Sequence, residues 1–246
     1  TISRLCAGWG WTARMINPTI LFFLTIASAI LDWIAVGSHW LRVKYITKPA
    51  VLVLLILWFT LETRWQGSLV WFGLALVFSL AGDIFLMLPR NAFFLGLVAF
   101  LFGHLAYIRG YTPSFPPVTA VSLGATLLVL VIAALIYRTI RVGLISRPQT
   151  RKMRYPVALY SIVITGMVLS ALSTLFRANW QPGSAILVAV GGLLFYSSDS
   201  MLAFDRFVHP IRYGRLLVRM TYHAGQIAMI AGVIEHIGHP IIHLYG

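Results

Sequence analysis

Charge is scarce in this chain of 246 residues. Only 10% of its residues are charged, against about 25% in a typical soluble domain. Six are acids. There is one cysteine, Cys6, so no intrachain disulfide can form and the redox compartment stays open. Also missing are a Gly-x-Ser-x-Gly elbow, a phosphate-binding glycine loop and a Cys–His pair for nucleophilic work. These shortages exclude a soluble enzyme, a disordered chain and a nucleic-acid-binding domain. What abounds is apolar: 59% of the residues, with a mean hydropathy of +0.87. A membrane span takes about 20 residues, so eight spans use about 160 positions. No room remains for a sizeable extramembrane domain.

Eight apolar runs follow one another at roughly 18–37, 48–62, 68–88, 91–109, 117–137, 155–176, 183–203 and 216–237. Backbone groups in lipid must bond within their own segment, so helices are the expected form. Strand-type alternation is absent, which argues against a barrel. The reading is an all-α, polytopic membrane protein: one integral membrane domain over residues 1–246, built as a bundle of about eight transmembrane helices. The longest polar stretch, Arg138 to Arg154, contains the helix breaker Pro148 and reads as a loop on the membrane surface.

Nineteen Lys and Arg oppose the six acids, a net charge of +13. In a membrane protein such an excess holds orientation and meets anionic headgroups, so no nucleic-acid partner is expected. Fourteen of the nineteen fall in the loops after runs one, three, five and seven, and five elsewhere. The positive-inside rule then places those four loops in the cytoplasm and both termini outside. A competing reading is a signal peptide, with Arg4 and Arg14 before the apolar Pro18–Ile26 and a small-x-small site at Ala27-Ser28-Ala29. It would place Arg42, Lys44 and Lys48 outside, against the charge bias. Localisation is multi-pass in a membrane: the cytoplasmic membrane in a bacterium, an endomembrane in a eukaryote.

Acids inside spans are costly, so each is a functional candidate. Asp83 stands near the end of run three in Gly82-Asp83-Ile84-Phe85. Asp199 stands near the end of run seven in Ser197-Ser198-Asp199-Ser200. Both runs point the same way, so the acids can share one depth. Ser197, Ser198 and Ser200 offer hydrogen bonds that suit an ionised Asp199; Asp83 has a drier setting that suits a protonated acid. Lys48, Tyr160, Tyr222 and His223 fall at a similar level, while His104 and Tyr107 lie deeper in run four. Each has a plainer reading. An acid can pin two helices together, and Lys48 and Asp32 stand near helix ends, where snorkelling is ordinary. Trp9, Trp11, Trp40, Trp65 and Trp180 read as interfacial belt anchors. His236, His239 and His243 share a helical spacing, yet Gly238 and Pro240 break that helix, so no metal site is expected there. The two Asp segments resemble one another across four helices, which suggests a parallel four-plus-four repeat.

The blocks YITKPAVLVLLIL, SLAGDIFLMLP, FFLGLVAFLFGHLAYIRGY, LLFYSSDSMLAFDRF and RMTYHAGQ resemble the YhhN-like lysoplasmalogenase family. They come in that family's order and span roughly residues 42–230. The resemblance implies an eight-helix membrane hydrolase with no known metal requirement and no cofactor. Its substrates would be lysoplasmalogens, single-chain glycerophospholipids with a vinyl ether at the first glycerol carbon. The products would be a fatty aldehyde and glycerophosphocholine or glycerophosphoethanolamine. It implies Asp83 and Asp199 as catalytic, with Lys48, His104, Tyr107, Tyr160, Tyr222 and His223 as binding residues. His223 stands where some relatives have tyrosine.

A vinyl ether is hydrolysed by protonating its β-carbon, which gives an oxocarbenium ion that water captures as a hemiacetal. Glycosidases meet the related problem with two carboxyls in different environments. Two intramembrane acids suit that chemistry. They also suit a small-solute or proton-coupled transporter, the main rival. A zinc-dependent lipid hydrolase and a lipid-binding scaffold are the others. The expected partners are a lysophospholipid substrate and membrane lipid.

Overall fold

The computed structural model describes residues 17–38, 40, 43–88, 92–112 and 118–238. Within them lie eight long helices and no strand: α1 (Pro18–Gly37), α2 (Lys44–Thr63), α3 (Val70–Met87), α4 (Phe93–Tyr111), α5 (Ala120–Ser146), α6 (Arg154–Ser173), α7 (Pro182–Phe207) and α8 (Gly214–Gly238). Seven of the described helices are long and apolar enough to cross a membrane. α8 is as long, but it carries Arg219, His223 and Gln226 along its middle, which lowers its hydropathy. His223 and Gln226 are fully buried against neighbouring helices. The protein is a multi-pass integral membrane protein.

Local signals set several ends. Asn17 caps α1 by accepting from Thr19 N at 2.9 Å, with Pro18 at the first helical position, where its missing N–H costs nothing. Thr119 and Ser122 form a reciprocal capping box on α5. α2 starts four residues before the expected Lys48 and holds Pro49 inside its second turn. The expected loop 138–154 is mostly absent: α5 continues to Ser146, and only residues 147–150 form the turn, at Pro148. Outside lipid a helix follows propensity rather than hydropathy, and Arg138 and Arg141 are good helix formers. The extension is also held by packing. A Cβ on Gly143 would stand 2.3 Å from the Phe207 carbonyl oxygen, and Arg147 Nη2 donates to Val208 O at 3.0 Å. α7 likewise runs four residues past its expected end.

The helices pack in the cyclic order α1, α2, α3, α4, α6, α7, α8 and back to α1, with α5 outside against α6 and α7. The tightest seam joins α7 to α8. Cβ atoms on Gly191 and Gly225 would each meet facing backbone at 2.7–2.9 Å, so only glycine allows this approach, as in other membrane helix pairs. α5 buries only Ile140 and Leu144, which join Val157 and Phe207 in a small core at one end. We call this the basic end, since the turn at residues 147–150 lies there. On the charge bias, that end is expected on the cytoplasmic side. A Gln149→Cys reporter in a Cys6→Ser background should therefore resist an impermeant thiol reagent applied to intact cells; ready labelling would invert the orientation.

Candidate active site

Four helices bring charge together on one side of the bundle interior. Asp32 of α1 is fully buried. Its Oδ1 accepts from Arg219 Nη1 at 2.5 Å and from Thr47 Oγ1 at 2.7 Å, and His223 Nδ1 lies 3.9 Å from Oδ2. Next in sequence to Asp32's partner Thr47, Lys48 stands with its Nζ 2.7 Å from Asp83 Oδ1 of α3, and both residues are buried. The Tyr222 hydroxyl stands beside Asp83, and Lys48 lies 5.9 Å from the Tyr222 ring centre. Asp32 and Lys48 are therefore not snorkelling helix-end residues. Buried charges need partners, and here two acids match two bases.

Asp199 has a different set of partners. The Tyr160 hydroxyl of α6 donates to Asp199 Oδ2. His104 Nε2 of α4 lies 2.9 Å from the Tyr160 oxygen and 3.4 Å from the same carboxylate oxygen. With the Tyr160 proton directed at Asp199, the short His104 contact requires the proton on Nε2. The neighbouring serines do not serve Asp199. Ser197 Oγ donates to Leu193 O at 2.8 Å and Ser198 Oγ to Val218 O at 2.9 Å, and Ser200 faces Tyr196. Serine in a helix readily bonds back to a carbonyl of the preceding turn. Asp83, expected in a dry setting, instead faces an ammonium group.

The two acids lie at one level. Phe93 at the start of α4 packs edge-on against Phe207 at the end of α7, with ring centres 5.9 Å apart. From that floor, at about 1.5 Å per residue, Phe100 lies about 10 Å up α4 and Asp199 about 12 Å up α7. Phe100 covers Gly82, the neighbour of Asp83. Aromatic rings stand between the two acids. Phe195 contacts Tyr222 at 5.2 Å on the Asp83 side and His104 at 4.8 Å on the Asp199 side, and Phe100 packs against both Phe195 and Tyr222. Tyr107 is fully buried and donates to Gln226 Oε1 at 2.5 Å. Each acid thus meets one residue from the helix before it (Lys48 or Tyr160) and one from the last helix of the opposite half (Tyr222 or His104).

Of the two acids Asp199, and not Asp83, stands in the wall of a cavity between the helices. A narrow slot of about 60 Å³ opens between α4, α5, α6 and α7, and Asp199 and Tyr160 stand in its wall; the rest is mainly apolar, with Phe93, Ile136, Ile164 and Phe207. Asp83, Lys48, His104, Tyr107, Tyr222 and His223 do not line it. The slot lies toward the basic end, where Arg206 stacks its guanidinium 3.7 Å over Phe93. Among the described residues no group of three His, Cys, Asp or Glu could hold a metal ion. His236 stacks on Trp180 with centres 4.0 Å apart; His239 and His243 lie outside the described residues. Trp180 is thus engaged by a protein ring, and Trp9 and Trp11 lie outside the described residues.

The YhhN family model matches residues 43–233. The chain belongs to the YhhN family. Among its relatives, lysoplasmalogenase TMEM86B of Mus musculus is 30% identical over 233 residues, which is 93% of this chain and 88% of that protein. Lysoplasmalogenase TMEM86B of Homo sapiens is 32% identical over 163 residues, 65% of this chain and 62% of that protein. The lysoplasmalogenase of Mycobacterium tuberculosis is 28% identical over 168 residues, 66% of this chain and 59% of that protein. No solved structure matches. In this YhhN-family chain, sequence reasoning missed Arg219 and Gln226. The signal was there: Arg219, Tyr222, His223 and Gln226 fall at i, i+3, i+4 and i+7, one face of α8.

Proposed function

We propose that this protein is a lysoplasmalogenase: a membrane hydrolase that cleaves the vinyl ether of a lysoplasmalogen, releasing a fatty aldehyde and a glycerophosphodiester. The relatives that match along most of the chain carry the name lysoplasmalogenase. The observation that carries the chemistry is a carboxyl group, Asp199, set in the wall of an apolar slot inside the membrane with a hydroxyl and an imidazole behind it.

Protonated Asp199 gives its proton to the β-carbon of the vinyl ether, and the α-carbon becomes an oxocarbenium ion. The carboxylate left behind stabilises that cation and then takes a proton from the attacking water, so one group serves as acid and then as base. The resulting hemiacetal breaks its bond to the glycerol oxygen, which takes up a proton as the aldehyde forms. The proton taken from water restores the Asp199 acid, and His104 and Tyr160 supply that proton whenever Asp199 is left ionised. In one arrangement His104 Nε2–H donates to Tyr160 and Tyr160 to Asp199. In the other, the Asp199 acid donates to Tyr160 and Tyr160 to His104. Starting from a His104 imidazolium, shifting both protons moves one proton to the carboxylate and leaves a neutral imidazole. Asp83 acts as a positioning residue: with Lys48 it holds Tyr222, whose ring backs Phe195 and, through it, His104. Asp83 and Asp199 are both required, in unequal roles.

The test supplies purified protein with a choline or ethanolamine lysoplasmalogen and with the matching ester lysolipid. Aldehyde from the first and no fatty acid from the second are expected. Fatty acid release from the ester would make the protein a lysophospholipase, and no product from either would remove the hydrolase reading.

A further inference from the structure

α5 faces the bundle with a stripe of half-buried residues: Ser122, Ala125, Thr126, Val129, Ala133 and Ile136, continuing to Tyr137 and the buried Ile140. The spacing is that of one helical face, and from Ser122 to Ala133 its members are small or medium-sized. A small-residue stripe permits close helix contact. Here it does not produce one: between Ala120 and Thr139 no residue of α5 is buried. The space left open is divided in two. Toward the basic end it is the slot that holds Asp199 and Tyr160, under Ala133, Ile136, Tyr137 and Ile140. Toward the opposite end it is a second cavity of about 310 Å³, under Ser122, Ala125 and Thr126 and walled by Ile108, Gly166 and Leu169. Val129, which packs partly against the main core, stands on the stripe between them.

The second cavity is apolar in practice despite its hydroxyls. Thr112 donates to Ile108 O, Thr126 to Ser122 O, Ser170 to Met167 O and Ser173 to Ser170 O. These groups are satisfied within their own helices and leave their carbon faces to the cavity. It therefore suits hydrocarbon rather than a polar solute.

We propose that the two cavities are the two ends of one binding channel for the alkenyl chain of the substrate, with α5 as its outer wall. This rests on the lysoplasmalogenase reading for the identity of the chain. The reacting double bond lies at Asp199. The slot is narrow there, so the glycerophosphate stays outside it, at the basic end near Arg206. The chain then runs the other way, past Val129 into the second cavity. From Tyr137 to Ser122 the channel is about 22 Å long at 1.5 Å per residue. One leaflet of hydrocarbon is only about 15 Å thick, so the channel encloses a long membrane-lipid chain along its length. Gly166 sets the width of the far end. A Cβ there meets Ile108 Cδ1 at an ordinary 3.4 Å, and any larger side chain would enter the cavity. Val129 and Gly166 become determinants of chain length.

Two experiments decide it. The first uses a saturated ether lysophospholipid with a photoactivatable diazirine at the methyl end of an octadecyl chain. In the wild-type protein, label is expected on α5 around Ser122–Thr126 and on α6 around Gly166–Ser173. Label confined to other helices would overturn the channel. This readout needs no turnover, so it stands apart from the hydrolase reading, which fails only if the wild type releases no aldehyde from any chain. The second compares octadecenyl and octenyl lysoplasmalogens in Thr126→Trp, with Leu128→Trp on the exposed face of α5 as the control. In Thr126→Trp the ratio of long-chain to short-chain kcat/KM should fall about tenfold, the scale on which a filled apolar pocket discriminates. The control should keep the wild-type ratio. An unchanged ratio in a folded Thr126→Trp protein would place the chain elsewhere.

Discussion

Asp199→Asn is expected to lower turnover on a lysoplasmalogen at least about a hundredfold, the scale for removing one acid–base group, while the protein still inserts and keeps its thermal midpoint. Asn has the shape of Asp and accepts the same Tyr160 hydrogen bond, so the α6–α7 contact survives. What it lacks is an acidic proton for carbon and a charge to face the oxocarbenium ion. No other carboxyl lines the slot to replace it. Tyr160→Phe should lower kcat by less and leave KM near the wild-type value, because it cuts the path from His104 to Asp199 and spares the acid itself. Turnover in deuterated solvent should slow if proton transfer to carbon limits the rate. Aldehyde release by purified variants reads all three. A well-folded Asp199→Asn protein with near wild-type turnover would remove Asp199 from the chemistry.

Much of the bundle was legible because lipid imposes one strong rule: about 20 apolar residues per span. Where that rule stops, the reading erred. α5 and α7 both outrun their apolar stretches, since Arg138, Arg141, Asp205 and Arg206 lie on helix beyond the apolar run. α8 was found as an apolar run although its middle is polar, and its polar face is the one that meets Asp32 and Asp83.

The candidate residues were legible one by one, as costly polar groups inside spans. Their pairing was not. Depth follows from position along a helix, but partner choice depends on which way each helix faces, and one residue turns that by about 100°. So the serines flanking Asp199 seemed its natural donors, while its true partners, Tyr160 and His104, come from two other helices. Asp32 seemed an end residue, because Arg219 was counted only as one more basic group of the loop before α8. The suspected repeat gains geometric content from the same pairing. Asp83 and Asp199 are served by corresponding helices of the two halves, yet of the two only Asp199 lines the slot.

Removing either member of the Lys48–Asp83 pair should destabilise the protein more than any surface change, by about 3–5 kcal/mol, because the survivor is a buried charge without its partner. Asp83→Leu leaves the Lys48 ammonium among apolar rings; Lys48→Met leaves the carboxylate beside Tyr222. The double variant Lys48→Met/Asp83→Leu removes both charges and fills the space with carbon. It should recover most of the lost stability, since replacing a buried ion pair by apolar side chains is often neutral or favourable. Unfolding midpoints of the four proteins in one detergent give the coupling directly. Turnover should not recover with stability. Tyr222 stands edge-on to Phe195 at 90°, and Phe195 packs on His104, so losing the anchor beside the Tyr222 hydroxyl loosens the support of the proton path. A shift of about 1 Å in such support costs up to a hundredfold in rate, and the stable double variant should remain at least about tenfold slow. A double variant that is both stable and fully active would make the pair a helix pin and nothing more, leaving Asp199 as the single carboxyl that the reaction needs.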